Sequence, residues 1–206
     1  MNYPHVQFLL NKELDTWTAK EFSVGTNEDV SHFYSLHTDA LDAHAKKVHT
    51  NWEAVAPQFF EITTTLFKNH PWPEGKYIGY ISMFDCNPRF LQDCTFQVYY
   101  KHKAGSNYVT AHELLHFIFY DYALKNHEAL FKNKNTESGI FWDIAEVFNS
   151  VLLHSTTFSA LFPTQEEILY PTHSKWVPHL RVIWDKNQNV DTFIKEAYQY
   201  ILDNPV

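Results

Sequence analysis

Residues Tyr108 to Phe119 read Tyr-Val-Thr-Ala-His-Glu-Leu-Leu-His-Phe-Ile-Phe, and this run constrains the fold more than any other part of the chain. Leu114, Leu115, Phe117, Ile118 and Phe119 are too apolar for a solvated segment, so the run must be a helix buried in the interior. It nevertheless carries His112, Glu113 and His116. Two imidazoles and a carboxylate are costly to bury without compensating partners. Whatever packs against this helix therefore has to supply one.

The surrounding sequence supplies the elements to do so. Ala104-Gly105-Ser106-Asn107 provides a turn and an N-cap, and the helix then runs from Tyr108 to about Lys125. Upstream, Lys76–Phe84 and Thr95–Lys101 are β-branched and aromatic with partial alternation and read as strands, joined by a loop from Asp85 to Cys94. Downstream, His127–Ser138 reads as a loop. Ile140 to about Thr156 carries Ile144, Val147, Phe148, Val151 and Leu152 at helical spacing.

Before the sheet, two helices are expected at roughly 28–55 and 57–69, divided by Pro57. Val30, Phe33, Tyr34, Leu41, His44, Val48 and Trp52 form their buried stripe. After Pro163 the chain reads as irregular until a last helix near Asp191–Leu202. The expectation is a single α+β domain over 1–206, mostly helical, with a small sheet before the motif helix. Its parts are N-terminal helices at 28–69, a core at 76–156 and a C-terminal segment at 157–206. At 206 residues with 45% apolar side chains, the chain buries enough surface to fold without a metal to hold it together.

The net charge of −8 argues against nucleic acid as a partner, since phosphate binding needs clustered Lys and Arg. No run approaches the roughly 20 apolar residues of a membrane span, and the first residues lack the basic and apolar regions of a signal peptide. Cys86 and Cys94 are the only cysteines and lack CxxC spacing, so a reduced, cytoplasmic protein is expected, with a Cys86–Cys94 disulfide as the alternative.

His-Glu-x-x-His at 112–116 places two imidazoles one helical turn apart on one face, where both reach a single ion. Glu113 lies beside them, placed to take a proton from water at an open coordination position. In a chain with 13 His the bare pattern arises by chance about one time in twenty, so the apolar setting, not the spacing, carries the metal reading.

The string resembles the zincin metallopeptidases, over Lys76 to about His154. Phe119 and Tyr122 stand where metzincins have Gly and His, which leaves the gluzincin-like pattern, with a Glu from a following helix as third ligand. The chain offers Glu128, Glu137, Glu146, Glu166 and Glu167. Glu146 is favoured because it sits in an apolar helix, while Glu137 lies in a polar loop. Ser150 replaces the Asp that thermolysin-like enzymes carry four residues after this ligand, leaving Asp143 or Asn149 to support a ligand His.

The resemblance implies one Zn²⁺ held by His112, His116 and Glu146, with Glu113 as general base in a peptidase. It also implies an exposed strand edge at Thr95–Lys101 that pairs with a peptide or protein substrate. Tyr170, His173 and His179 are candidates for the oxyanion donor. The alternative is a non-catalytic metal-binding domain acting through a partner, which a covered edge at Thr95–Lys101 would favour.

Overall fold

The computed structural model describes residues 3–162 and 169–205. Among the described residues helices account for 61% and strands for 8%, a mostly helical α+β fold with one four-stranded sheet. The order is β1 (Gln7–Leu10), α1 (Lys12–Glu21), α2 (Asn27–Leu66), β2 (Ile78–Ser82), β3 (Arg89–Phe90) and β4 (Thr95–Tyr99). Then come α3 (Ser106–Asn126), α4 (Glu128–Phe131), α5 (Ile140–Leu153), α6 (Thr156–Ser159), a 3₁₀ turn at His173–Lys175, α7 (Val177–Asn187) and α8 (Val190–Asp203).

The expected helices at 28–55 and 57–69 are one helix of 40 residues with Pro57 inside it. Proline removes one N–H and frees the carbonyl four residues back, that of Glu53. Glu53 and Pro57 are both exposed, so water can satisfy that carbonyl and the helix continues. A reciprocal capping box starts α2: the Thr26 N–H donates to Asp29 Oδ2 (2.9 Å) and the Asp29 N–H to Thr26 Oγ1 (3.1 Å). The expected stripe is buried at Val30, Tyr34, Leu41, Val48 and Trp52. The stretch expected to be irregular after Pro163 contains α7, because Pro178 sits in its first turn, where the missing N–H has no intrahelical partner to lose.

The chain divides into two compact units, 1–57 with 74–113 and 58–73 with 114–206, the divisions falling within α2 and α3. The first unit contains the sheet, ordered β1-β2-β4-β3, with β1, β2 and β4 parallel and β3 antiparallel to β4. Its organising group is the Asp15 carboxylate on α1, 1% exposed. Ser82 Oγ (2.5 Å) and Gln97 Nε2 (2.8 Å) donate to Oδ1, and the Tyr34 hydroxyl (2.9 Å) and the Met83 N–H (3.3 Å) donate to Oδ2. Thr18 donates to Gln97 Oε1 at 2.6 Å, so α1, α2, β2 and β4 share one buried polar network. Burial raises the Asp15 pKa above the ordinary carboxylate value despite its donors, and burial followed by the neighbouring Asp15 charge raises that of Tyr34.

The second unit is organised by Phe148 of α5. Its ring meets Phe119 of α3 at 4.8 Å, Phe193 of α8 at 5.3 Å, Trp184 of α7 at 5.8 Å and Phe67 at 5.9 Å. At its surface Asp191, in the first turn of α8, accepts from Lys68, from the Tyr122 hydroxyl (2.8 Å) and pairs with His127 Nε2 (2.7 Å). These hydrogen bonds outweigh its desolvation and hold its pKa at about 2.

Two outcomes are expected. Asp15→Ala strands the Tyr34, Ser82 and Gln97 donors and should lower stability in chemical denaturation by about 3 kcal/mol or more, taking ~1–3 kcal/mol per stranded group. Asp15→Asn, which keeps an acceptor oxygen, should cost less. For Asp191 the folded pKa lies below the unfolded one, so its contribution is present above about pH 4 and is lost as the pH falls towards about 2. The melting temperature of Asp191→Asn should therefore lie below wild type at neutral pH and converge with it across that window. A gap that persists at pH 2 would show that the charge of Asp191 is not what stabilises.

Candidate metal centre

Two glycines launch the helices that form this site. Gly105, just before α3, has φ of +82°, and Gly139, just before α5, has φ of +72° with ψ of −168°. Both backbones disfavour a Cβ, while nothing lies within 4 Å of the position one would take, so the requirement is conformational. From Gly105 the chain enters α3 with Ala111, Leu114, Leu115, Ile118 and Phe119 at most 1% exposed. His112 and His116, one turn apart, share a face of this helix.

Glu146 completes the group. One ligand atom from each of His112, His116 and Glu146 lies within 4.8 Å of the other two, with His116 and Glu146 buried and His112 partly so. His116 Nε2 and Glu146 Oε1 are 3.3 Å apart. Two ligands on a tetrahedral ion with bonds of 2.0–2.2 Å stand roughly 3.4 Å apart, so this pair already has the separation a metal requires. A donor set of two nitrogens and one oxygen suits zinc. The buried group fits a metal ion. Glu113, 4% exposed, follows the first of the three in sequence and is not among them.

Aromatic packing sets this geometry. Tyr120 stacks on the His116 ring (5.6 Å between centroids, 13° between planes) and meets Phe141 of α5 edge-on at 4.8 Å. Its hydroxyl donates to the Thr136 carbonyl at 2.9 Å. Together with Phe119 on Phe148, these contacts fix α5 against α3 on both sides of the His116–Glu146 pair. Tyr120 follows His116 by four residues, a spacing visible in the sequence.

Of the other candidates, Glu137 and Glu128 are exposed and outside the group, and Glu166 and Glu167 lie outside the described residues. His173 is 1% exposed, and its Nε2 pairs with Asp143 Oδ1 at 2.9 Å, so the Asp143 carboxylate serves His173. Tyr170 is half-exposed beside Trp142 and His173. His179, on α7, is exposed and stacks on Tyr200 of α8 at 4.0 Å. Cys86 and Cys94 form no disulfide. No helix among the described residues is long and apolar enough to cross a membrane.

The expected exposed edge at Thr95–Lys101 is corrected. β4 lies between β2 and β3, and its outward N–H groups are already used: Gln97 donates to the Pro88 carbonyl (2.9 Å) and Tyr99 to Asn87 Oδ1 (2.8 Å). The covering strand is only two residues long and is extended by an asparagine side chain standing in for backbone, which no strand pattern reveals.

One largely buried titratable residue escaped the sequence reading. His102, in the turn between β4 and α3, is close enough to His112 for the charges of the two rings to interact. Burial lowers its pKa first, Asp85 raises it and His112 lowers it further. Its position corresponds to no motif spacing. No known family model matches the chain, and no curated protein or solved structure is similar to it.

Proposed function

We propose that this chain is a zinc-dependent hydrolase that cleaves amide bonds in peptides, with His112, His116 and Glu146 as ligands and Glu113 as general base. The observation that carries this reading is the buried Glu146 carboxylate, 3.3 Å from His116 Nε2 and grouped with both imidazoles of the helix that bears Glu113. Bound there, zinc would polarise the substrate carbonyl and acidify a water molecule. Glu113 would serve as the base that accepts a proton from water and passes it to the leaving amine. Its burial keeps the carboxylate from bulk water, which favours proton transfer to a group held beside it.

The covered β4 edge favours a second reading, a metal-binding domain without a peptide cleft that acts through a partner. The two differ in what Glu113 does. With zinc content measured on protein purified without added metal and hydrolysis followed on a peptide library, Glu113→Gln should keep its zinc and lose activity. His112→Ala and His116→Ala should lose both. Peptide cleavage by Glu113→Gln at the wild-type rate rejects the mechanism, and zinc-loaded wild type that cleaves nothing in the library supports the second reading.

The ligand assignment has its own test. Glu146→Ala should weaken zinc binding by orders of magnitude in competition with a chelator, since it removes one of three ligands. Glu137→Ala, in an exposed loop, should leave affinity unchanged. The reverse pattern would make Glu146 a core partner of His116 and nothing more.

A further inference from the structure

Tyr120 touches both a candidate ligand and the segment that leads to another. Its ring, 3% exposed, lies nearly parallel to the His116 imidazole, with 13° between the planes, and Phe141 of α5 meets it edge-on. At its far end the hydroxyl donates to the Thr136 carbonyl at 2.9 Å. Thr136 lies in the largely exposed stretch 132–139 that runs into α5, the helix of Glu146. His116, Tyr120, Thr136 and Glu146 all belong to the second unit.

A histidine side chain has a staggered χ1 but a broad χ2, so its own rotamer preferences leave the tilt of the ring open. The lone pair of a neutral imidazole nitrogen lies in the ring plane, so that tilt decides where Nε2 is aimed. Here it faces Glu146 Oε1 at 3.3 Å. The Tyr120 ring closes off tilting on the stacked side, and Tyr120 cannot move away without breaking its bond to Thr136. Within 132–139 the Lys134 N–H donates to the Phe131 carbonyl and the Glu137 N–H to Asn135 Oδ1, bonds that span two or three residues. The Tyr120 hydroxyl reaches this stretch from the ligand helix, 16 residues away in the chain.

We propose that Tyr120 is a positioning residue that presets the plane of His116 for a metal ion and, through Thr136, couples occupancy of the centre to the order of 132–139. The inference rests on the metal reading above. The coupling runs both ways. A metal that fixes His116 restrains Tyr120 and with it the Thr136 carbonyl, and a held Thr136 keeps the imidazole in the plane the metal needs.

The test uses the full chain as wild type, Tyr120→Leu, Tyr120→Phe and Phe131→Leu, each shown to be folded by circular dichroism. Phe131 is the control, a buried ring that stacks on Phe141 at 4.1 Å and meets Tyr198. Zinc affinity is measured by chelator competition, and trypsin cleavage after the exposed Lys132 and Lys134 is followed by mass spectrometry with and without zinc. Tyr120→Leu, which loses the stacked ring, should bind zinc about ten-fold more weakly or worse, while Phe131→Leu and Tyr120→Phe stay near wild type. Zinc should slow cleavage at the two lysines in wild type. Because zinc also stabilises the whole fold, the deciding comparison is Tyr120→Phe, which keeps the ring and loses the bond to Thr136, and in which this protection should largely disappear. Wild-type affinity in Tyr120→Leu, or an equal loss in Phe131→Leu, overturns the positioning role and leaves Tyr120 a packing residue. Equal protection in wild type and Tyr120→Phe, or none in wild type, overturns the coupling, and this arm decides even where Tyr120→Leu does not fold. Wild type that binds no zinc removes the metal reading itself, and this inference with it.

Discussion

A carboxylate can be buried only where cationic or hydrogen-donating groups replace the water it gives up, and Glu146 is buried against imidazoles. The first unit shows the ordinary solution. Asp15 is also buried, and Ser82, Gln97, Tyr34 and the Met83 N–H surround its two oxygens, so protein donors alone satisfy it. Glu146 lies instead in a group whose other two members are imidazoles, each offering one lone pair when neutral. Grouped with a carboxylate, their lone pairs and its charge are jointly suited to a cation.

The rest of the second unit follows from holding that group still. A group that could hold a metal ion keeps its geometry only if the helices bearing it are fixed by contacts of their own. Phe148 provides them by touching Phe67, Phe119, Trp184 and Phe193, rings from four different segments. Tyr120 adds the finer constraint of a ring stacked on His116. Flat rings with few rotamers lose little entropy when packed and transmit position well, a reason for a chain with 17% aromatic residues to build its site on them.

The motif helix, Glu146 and the last helix were legible because each is an apolar run whose polar exceptions stand out. The elements that stayed hidden lack that contrast. Helix α1 buries Asp15 and Thr18 on its inner face, so hydrophobic periodicity cannot find a face whose partners are hydrogen bonds. Pro57 and Pro178 read as breaks, yet one lies on a solvated face and the other in a first turn, the two settings where a missing N–H costs little. The cover over β4 rests on Asn87 at φ of +44° and one side-chain oxygen, a local conformation with no period to detect. The turn between β4 and α3 is the same case, since the Ala104 N–H donates to the His102 ring and no spacing announces it.

The covered edge of β4 changes what recognition at this centre has to use. A peptide that adds to a sheet draws affinity from backbone hydrogen bonds whatever its sequence. Here the N–H groups of Gln97 and Tyr99 already have internal acceptors, so a peptide would have to displace 87–90 or bind without them. Displacement exchanges one set of hydrogen bonds for another and gains little, because the lost Pro88 and Asn87 contacts offset those made by the newcomer. On the proposed peptidase reading, recognition would therefore have to draw on a substrate's side chains and termini rather than on this sheet edge.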